Sequence, residues 1–241
     1  MPRTDKITSS TRRRILTEAA LLFRRHGYRG TSTRQIAEAV GVKQPSLFHH
    51  FANKQSILEE LLAISLDPSL AEAREAVTAE GPVARRLYDY VLWDLTTLHR
   101  LPFALSGIYA HDVLQEPALA PWGAKLEALY AALRDLIGQG VRSGEFRPVA
   151  PGLGQAMVAG VTLSHIDYAA GHTGGDPDEL GAAGAAFILG GLMRDPEALD
   201  RLVADAGPRA GAPPAGAGPH RRAGGDGPGG ASVPSGRARS A

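Results

Sequence analysis

Lys43, Gln44, Ser46 and His49 lie along the polar side of a short segment, about Gln44 to Phe51, in which Leu47 and Phe51 stand at i and i+4. That spacing gathers the two apolar side chains on one helix face and leaves the polar ones on the other. Lysine can read guanine and glutamine can read adenine at the edge of a DNA major groove. An ordinary surface helix has the same two-sided pattern, so the segment alone leaves both readings open. Thr33 and Arg34 open an earlier helix, where free N–H groups and the helix dipole suit a phosphate. Simple capping by Ser32 or Thr33 is compatible with that contact.

The surrounding residues supply the elements that would hold these groups. From Thr11 to His26, Ile15, Ala19, Leu22 and Phe23 form one apolar stripe of a helix. Arg12, Arg13 and Arg14 then fall in its first turn, against the dipole. Either an external anion compensates, or exposed arginines tolerate a small penalty. Gly27 supplies the stop and Gly30 opens the next turn. A second helix runs from Ser32–Thr33 to Val40, with Ile36, Ala37 and Val40 on its buried edge. Gly41 ends it, Val42 plugs the turn, and Pro45 sits where the next helix begins. Asn53 caps a fourth helix that opens at Lys54 and buries Ile57, Leu58, Leu61 and Leu62. The helix, glycine turn and helix of residues 32–51 have the layout of a helix-turn-helix.

Residues 13–62 resemble the DNA-binding head of the tetracycline-repressor (TetR) family. The resemblance rests on Ala19, Leu22, Phe23, Gly27 and Tyr28, on Thr33, Ile36 and Ala37, on Gly41–Val42, and on the LFHHF-x-NK block that ends at Lys54. It implies that Thr33 and Arg34 meet phosphate and groove edge. It implies that Lys43, Gln44, Pro45 and Ser46 lead the recognition helix into the major groove. Phe48 stands where the family usually has a tyrosine that bonds a phosphate. Phenylalanine cannot donate that bond, which leaves packing on sugar or support of the helix. His50 matches a frequent histidine of the family, and Lys54 its phosphate-binding lysine. His49 is at a variable position, either touching a base or remaining a plain exposed imidazole.

Composition agrees with a DNA-facing head. Net charge is +6 over residues 1–66, −9 over 67–205 and +4 over 206–241. A basic head on an acidic body suits phosphate contact, although charge runs also simply face water. With 44% apolar residues and 241 positions there is room for one or two domains. The absence of cysteine excludes disulfides and Cys-based metal centres. No apolar run reaches membrane-spanning length, and the first residues lack the apolar centre of a secretory signal. The expected location is the bacterial cytoplasm, on the nucleoid when DNA-bound.

The expected fold is all-α: a head at 8–66, a helical effector-binding and dimerisation domain at 67–206, and a disordered Gly/Pro/Ala/Arg-rich tail at 207–241. Helices are expected at about 82–100, 102–113, 118–142, 151–171, 177–193 and 196–205, with Pro82, Pro102, Pro117, Pro151, Pro177 and Pro196 at their starts. The stretch Gly140 to Pro148 resembles the G-E-F/L-R-P turn that precedes the family's last two long helices. Those two helices, 151–171 and 177–193, are rich in glycine and alanine. The resemblance implies a homodimer through them; a general Ala/Gly bias accounts for the composition equally.

In the family the middle helices enclose a small-molecule cavity. Trp93, His99, Phe103, Tyr109, His111, Trp122, His165 and Tyr168 are therefore candidate ligand contacts, with core packing the alternative for the aromatics. Asp112 and Asp167 add carboxylates near His111 and His165, at a spacing that matches no strong metal motif. Neither metal nor cofactor is expected. The tail's arginines either add weak DNA affinity or do nothing. The reading is a sequence-specific DNA-binding transcriptional regulator, a repressor released from a pseudo-palindromic operator by an unknown small-molecule effector. A constitutive dimeric regulator without effector is the alternative, and an all-α enzyme using the body's His and Asp residues comes last.

Overall fold

Proline punctuates this chain. In the computed structural model, which describes residues 3–103, 105–109, 111–114, 116–171 and 175–205, most body helices begin at a proline. Helix α5 (Val83–Arg100) follows Pro82, α7 (Ala120–Ser143) has Pro121 in its first turn, and α8 (Pro151–Gly171), α9 (Pro177–Leu192) and α10 (Pro196–Asp205) start on one. A missing N–H costs nothing in a first turn. The head comprises α1 (Arg3–Gly30), α2 (Thr33–Val40), α3 (Gln44–Phe48) and the first half of α4 (Lys54–Thr78). Among the described residues the only extended pairing is an isolated bridge between Phe146 and Met193. The all-α expectation holds. The tail, 207–241, lies outside the described residues.

Helix α1 leaves helical geometry at Gly27, at φ 72° and ψ 161°. The predicted stop is correct, but the helix starts at Arg3, so Arg12, Arg13 and Arg14 are mid-helix residues and not a first turn. No dipole penalty needs an external anion. Arg12 instead grips Glu60 and the His50 carbonyl and lies 4.2 Å over the Phe51 ring. Arg14 donates to the Val40 carbonyl. Both arginines tie α1 to the ends of α2 and α3.

The predicted helix at 102–113 is not continuous. A bend at 101–103, a 3-10 turn (Ser106–Ile108) and the short α6 (His111–Leu114) replace it. Leu105, Ile108, Val113 and Leu114 all bury against the head. Gly107 lies on the backbone of α1, where an added Cβ would come 2.6 Å from the Arg24 Cα. This close approach displaces the regular helix that the apolar pattern suggested.

Two apolar clusters share α4. Ile57, Leu58, Leu61 and Leu62 belong to the head cluster, and Leu66, Leu70 and Ala73 to the body cluster. The helix runs through Pro68 without ending. Burial of this face outweighs the backbone bond that the proline removes. The head is therefore joined to the body by a rigid rod as well as by the Gly107 contact.

The Gly140–Pro148 turn has a structural task. Gly144 adopts φ 81° and ends α7. Glu145 reaches across to accept the Val83 and Ala84 amides at 3.1 and 2.9 Å, capping the otherwise uncapped start of α5. Phe146 is fully buried against Gly140. The glycines of α9 divide in role. Gly181 and Gly184 face inward, where a Cβ at Gly184 would come 2.8 Å from His165 and one at Gly181 would collide with Thr96. They seat α9 on α5 within the chain, so they do not serve a contact between subunits. Gly152, Gly160 and Gly191 have open space around them.

Candidate nucleic-acid interface

Helix α2 is fixed by a reciprocal cap. The Ser32 hydroxyl accepts the Gln35 amide at 3.2 Å, and the Gln35 side chain accepts the Ser32 amide at 2.8 Å. Ser32, not Thr33, is thus the cap. Gly41, at φ 74°, closes α2 in the left-handed region and lets Val42 N–H bond the Ala37 carbonyl at 2.9 Å. Leu47 is completely buried and Phe51 nearly so, which pins α3 from inside. Thr33 accepts the Gln44 amide at 2.9 Å, so the starts of α2 and α3 are coupled through the two side chains that face out.

The face left open carries the predicted residues. Arg34, Lys43, Pro45, Phe48 and His49 are exposed, while Thr33, Gln44, Ser46, His50 and Lys54 are half-buried. Arg34 pairs with Glu38 at 2.9 Å, both largely in water. Such a pair is worth only a few tenths of a kcal/mol, so a phosphate can displace the glutamate. Phe48 is 44% exposed and so does not support the core. Its ring is an apolar surface on a polar face, suited to sugar or a thymine methyl. Lys54 donates to the Tyr28 and Thr31 carbonyls at 2.6 and 2.7 Å and lies 4.3 Å over the Tyr28 ring. Burial lowers its pKa. An ammonium group has three N–H donors, so one is left for a phosphate while two hold the α1–α2 loop.

A second site lies in the body, between α4, α5, α7 and α8. A narrow cavity of about 60 Å³ is lined by Ser65, Ser69, Tyr90, Asp94, Tyr109 and Tyr130 and by leucine and valine side chains. That space admits a few water molecules or a small ligand. Tyr90 meets Ser69 at 3.0 Å, and Tyr109 meets Ser65 at 2.6 Å. Burial raises the Asp94 pKa to about 7, opposed by a hydrogen bond from Ser69.

Of the ligand candidates read from sequence, Tyr109 lines this cavity and the others described do not. His99 and His165 pack edge to face at 4.7 Å, with His165 directed at the Leu180 carbonyl of α9. Burial and then His165 push the His99 pKa down to about 4. Trp122 lies under Lys125 at 4.1 Å, Tyr168 is 54% exposed, and Trp93 and Phe103 are half-buried outside the cavity lining. The side chains of His111 and Asp112 lie outside the described residues. Tyr130, an aromatic of the middle helices, also lines the cavity, whereas Tyr90, Asp94, Ser65 and Ser69 were missed. Their i, i+4 spacing on α4 and α5 (Ser65 and Ser69, Tyr90 and Asp94) was the available signal, a polar stripe within apolar helices.

A five-residue outward helix, a capped partner and a basic exposed rim make this head a helix-turn-helix DNA-binding module. Residues 15–61 match the family model described as bacterial regulatory proteins, tetR family. The transcriptional repressor KstR2 of Rhodococcus jostii is 41% identical over 143 residues, 58% of this chain and 69% of the relative. KstR2 of Mycobacterium tuberculosis is 28% identical over 203 residues, 81% of this chain and 99% of the relative. The crystal structure of Mycobacterium smegmatis AmtR matches with a TM-score of 0.63 at 32% identity, covering 79% of this chain and 91% of that one. The chain belongs to the TetR family. It is a DNA-binding transcriptional regulator, not an enzyme.

Proposed function

We propose that this regulator is a homodimeric repressor whose paired α3 helices read a two-fold symmetric operator and whose body cavity holds the ligand that releases it. The carrying observation is that one helix, α4, serves both sites. Lys54 at its start clamps the α1–α2 loop, and Ser65 and Ser69 further along line the cavity. The 3-10 turn adds a second route, because Gly107 touches α1 two residues before Tyr109 enters the cavity.

Dimerisation is supported by the outer face of α8 and α9. Leu153, Met157 and Phe187 are 54%, 58% and 71% exposed there. Beside them runs a groove of about 400 Å³ lined by Met157, Val161, Phe187 and Gly191. An apolar patch of this kind on a soluble surface marks an interface. Two copies packed through it across a two-fold axis present two heads to a pseudo-palindrome. A ligand that fits the cavity better in the head spacing unsuited to DNA shifts the population away from the operator. The proposed DNA contacts are Thr33, Arg34, Lys43, Gln44, Pro45, Ser46, Phe48, His49, His50 and Lys54, and the proposed location is the bacterial cytoplasm. Among the described residues no helix is long and apolar enough to cross a membrane.

The test is recovery of genomic fragments by the purified protein, followed by titration of candidate ligands against the recovered operator. Recovery of fragments sharing an inverted repeat is expected. Fragments without a shared repeat, or ligands that bind the cavity without changing operator affinity, refute the proposal.

A further inference from the structure

The cavity between α4, α5, α7 and α8 is chemically one-sided. Among its described lining residues Asp94 is the only carboxylate, and none is lysine, arginine or histidine. An anionic ligand would meet a like charge and no counter-ion. Two of the hydroxyl protons are committed. Ser65 donates to the Leu61 carbonyl at 3.0 Å, so the Tyr109 hydroxyl donates to Ser65. Ser69 and Tyr90 share one hydrogen bond at 3.0 Å, in which either hydroxyl can donate. What faces the cavity is the Asp94 carboxyl as its only ionisable acid, with the Ser65 and Ser69 oxygens and the Tyr130 and Thr162 hydroxyls, which can donate or accept. The opposite walls are apolar: Leu126, Leu129 and Leu133 from α7, and Val158, Leu163 and Ile166 from α8.

We infer, on the regulator reading above, that the effector is a small apolar amine, its protonated nitrogen seated against Asp94 and its hydrocarbon body between α7 and α8. An ammonium group brings three donors to a cluster of acceptors and supplies the counter-charge that the carboxylate lacks. The narrow apolar walls suit a slender hydrocarbon chain better than a multi-ring ligand. Seating the amine ionises Asp94, so binding releases part of a proton at pH 7. The Tyr109–Ser65 contact then carries ligand position to α4.

The test uses calorimetry on the full chain at pH 7 with n-hexylamine, hexan-1-ol and hexanoate, repeated in two buffers of different ionisation enthalpy. A recovered operator fragment is assayed in parallel. The amine is expected to bind about tenfold more tightly than the alcohol or better, as one charge-assisted hydrogen bond provides. It should release a fraction of a proton, and hexanoate should not saturate. Asp94→Asn should abolish the amine's advantage over the alcohol. Absent amine binding, equal affinity for amine and alcohol, preference for hexanoate, or an amine advantage that survives Asp94→Asn overturns the inference. Zero proton release by the unsubstituted protein overturns it independently of how the variant folds. If operator binding persists in those cases, only the ligand class falls. If operator binding is itself absent, the regulator reading falls, and this inference with it.

Discussion

Replacing Asp94 by asparagine should make the protein more stable, and increasingly so as pH rises. Asp94 is 7% exposed, and its carboxyl titrates at about 7 in the folded chain against 3.8 in the unfolded one. Its partners are Ser69, Tyr90 on its own helix and Tyr109 from the segment packed beside it, none of them cationic. Between those two values the folded state holds a proton that the unfolded state has released. Stability is therefore fully present below the lower value and is lost as pH rises through the upper one. The displacement of about three pK units corresponds to about 4 kcal/mol at most, of which roughly 3 kcal/mol accrues between pH 5 and pH 8. Water entry and local relaxation reduce such costs, so an observed widening of about 2 kcal/mol is the working expectation. For a chain of this size that is about 4–8 °C in melting temperature. The assay is thermal unfolding of both proteins at intervals from pH 5 to pH 8, with the variant drawing ahead of the parent. Parallel profiles would mean that Asp94 titrates as a solvated carboxyl, and the desolvation reasoning would be wrong.

Phe48→Ala should weaken operator binding several-fold with melting temperature unchanged, because the ring is 44% exposed, whereas Leu47→Ala should cost about 2–5 kcal/mol of stability as a fully buried truncation; gel-shift titration and denaturant unfolding separate the two. Lys54→Met should both destabilise the head, since two loop carbonyls lose their donor, and flatten the salt dependence of operator binding if the third N–H meets a phosphate. Phe187→Arg should yield a monomer by sedimentation and abolish binding to a two-half-site operator while leaving the helical circular dichroism intact. Acid should loosen the α5–α8–α9 contact: the His99 pKa is depressed to about 4, so the stability it contributes is present above about 6.5 and falls as pH drops toward 4, and His99→Phe should remove that part of the acid profile.

The head was legible in the sequence because its constraints are local. The Ser32–Gln35 cap, the left-handed Gly41, Pro45 at the start of α3 and the Leu47–Phe51 pair each act within about four residues. Most helix starts in the body were legible for the same reason, since proline acts on its own turn, with Pro102 the exception because the segment after it packs on α1. The recognition helix was expected to run to about Phe51, but regular geometry ends at Phe48, and the Arg12 side chain bonds the His50 carbonyl beyond it. Arg12 and Arg14 themselves were misread as a first turn. Their partners Glu60, His50 and Val40 lie 26 to 48 positions away, beyond the reach of any periodicity.

The sequence by itself determined the helices of the head, the outward set from Thr33 to His49, and the presence of a separate helical body, because capping, turn geometry and amphipathic spacing are set by near neighbours. Only the tertiary structure decided which polar groups meet inside that body. Asp94 gained its shifted proton affinity from burial among the helices packed around it, against the opposing hydrogen bond of Ser69 on α4, and Lys54 gained its clamp on Tyr28 and Thr31 from a loop folded back against it. Burial is a property of what packs around a group, and the residues that pack around Asp94 come from four helices spread over about 100 positions of chain.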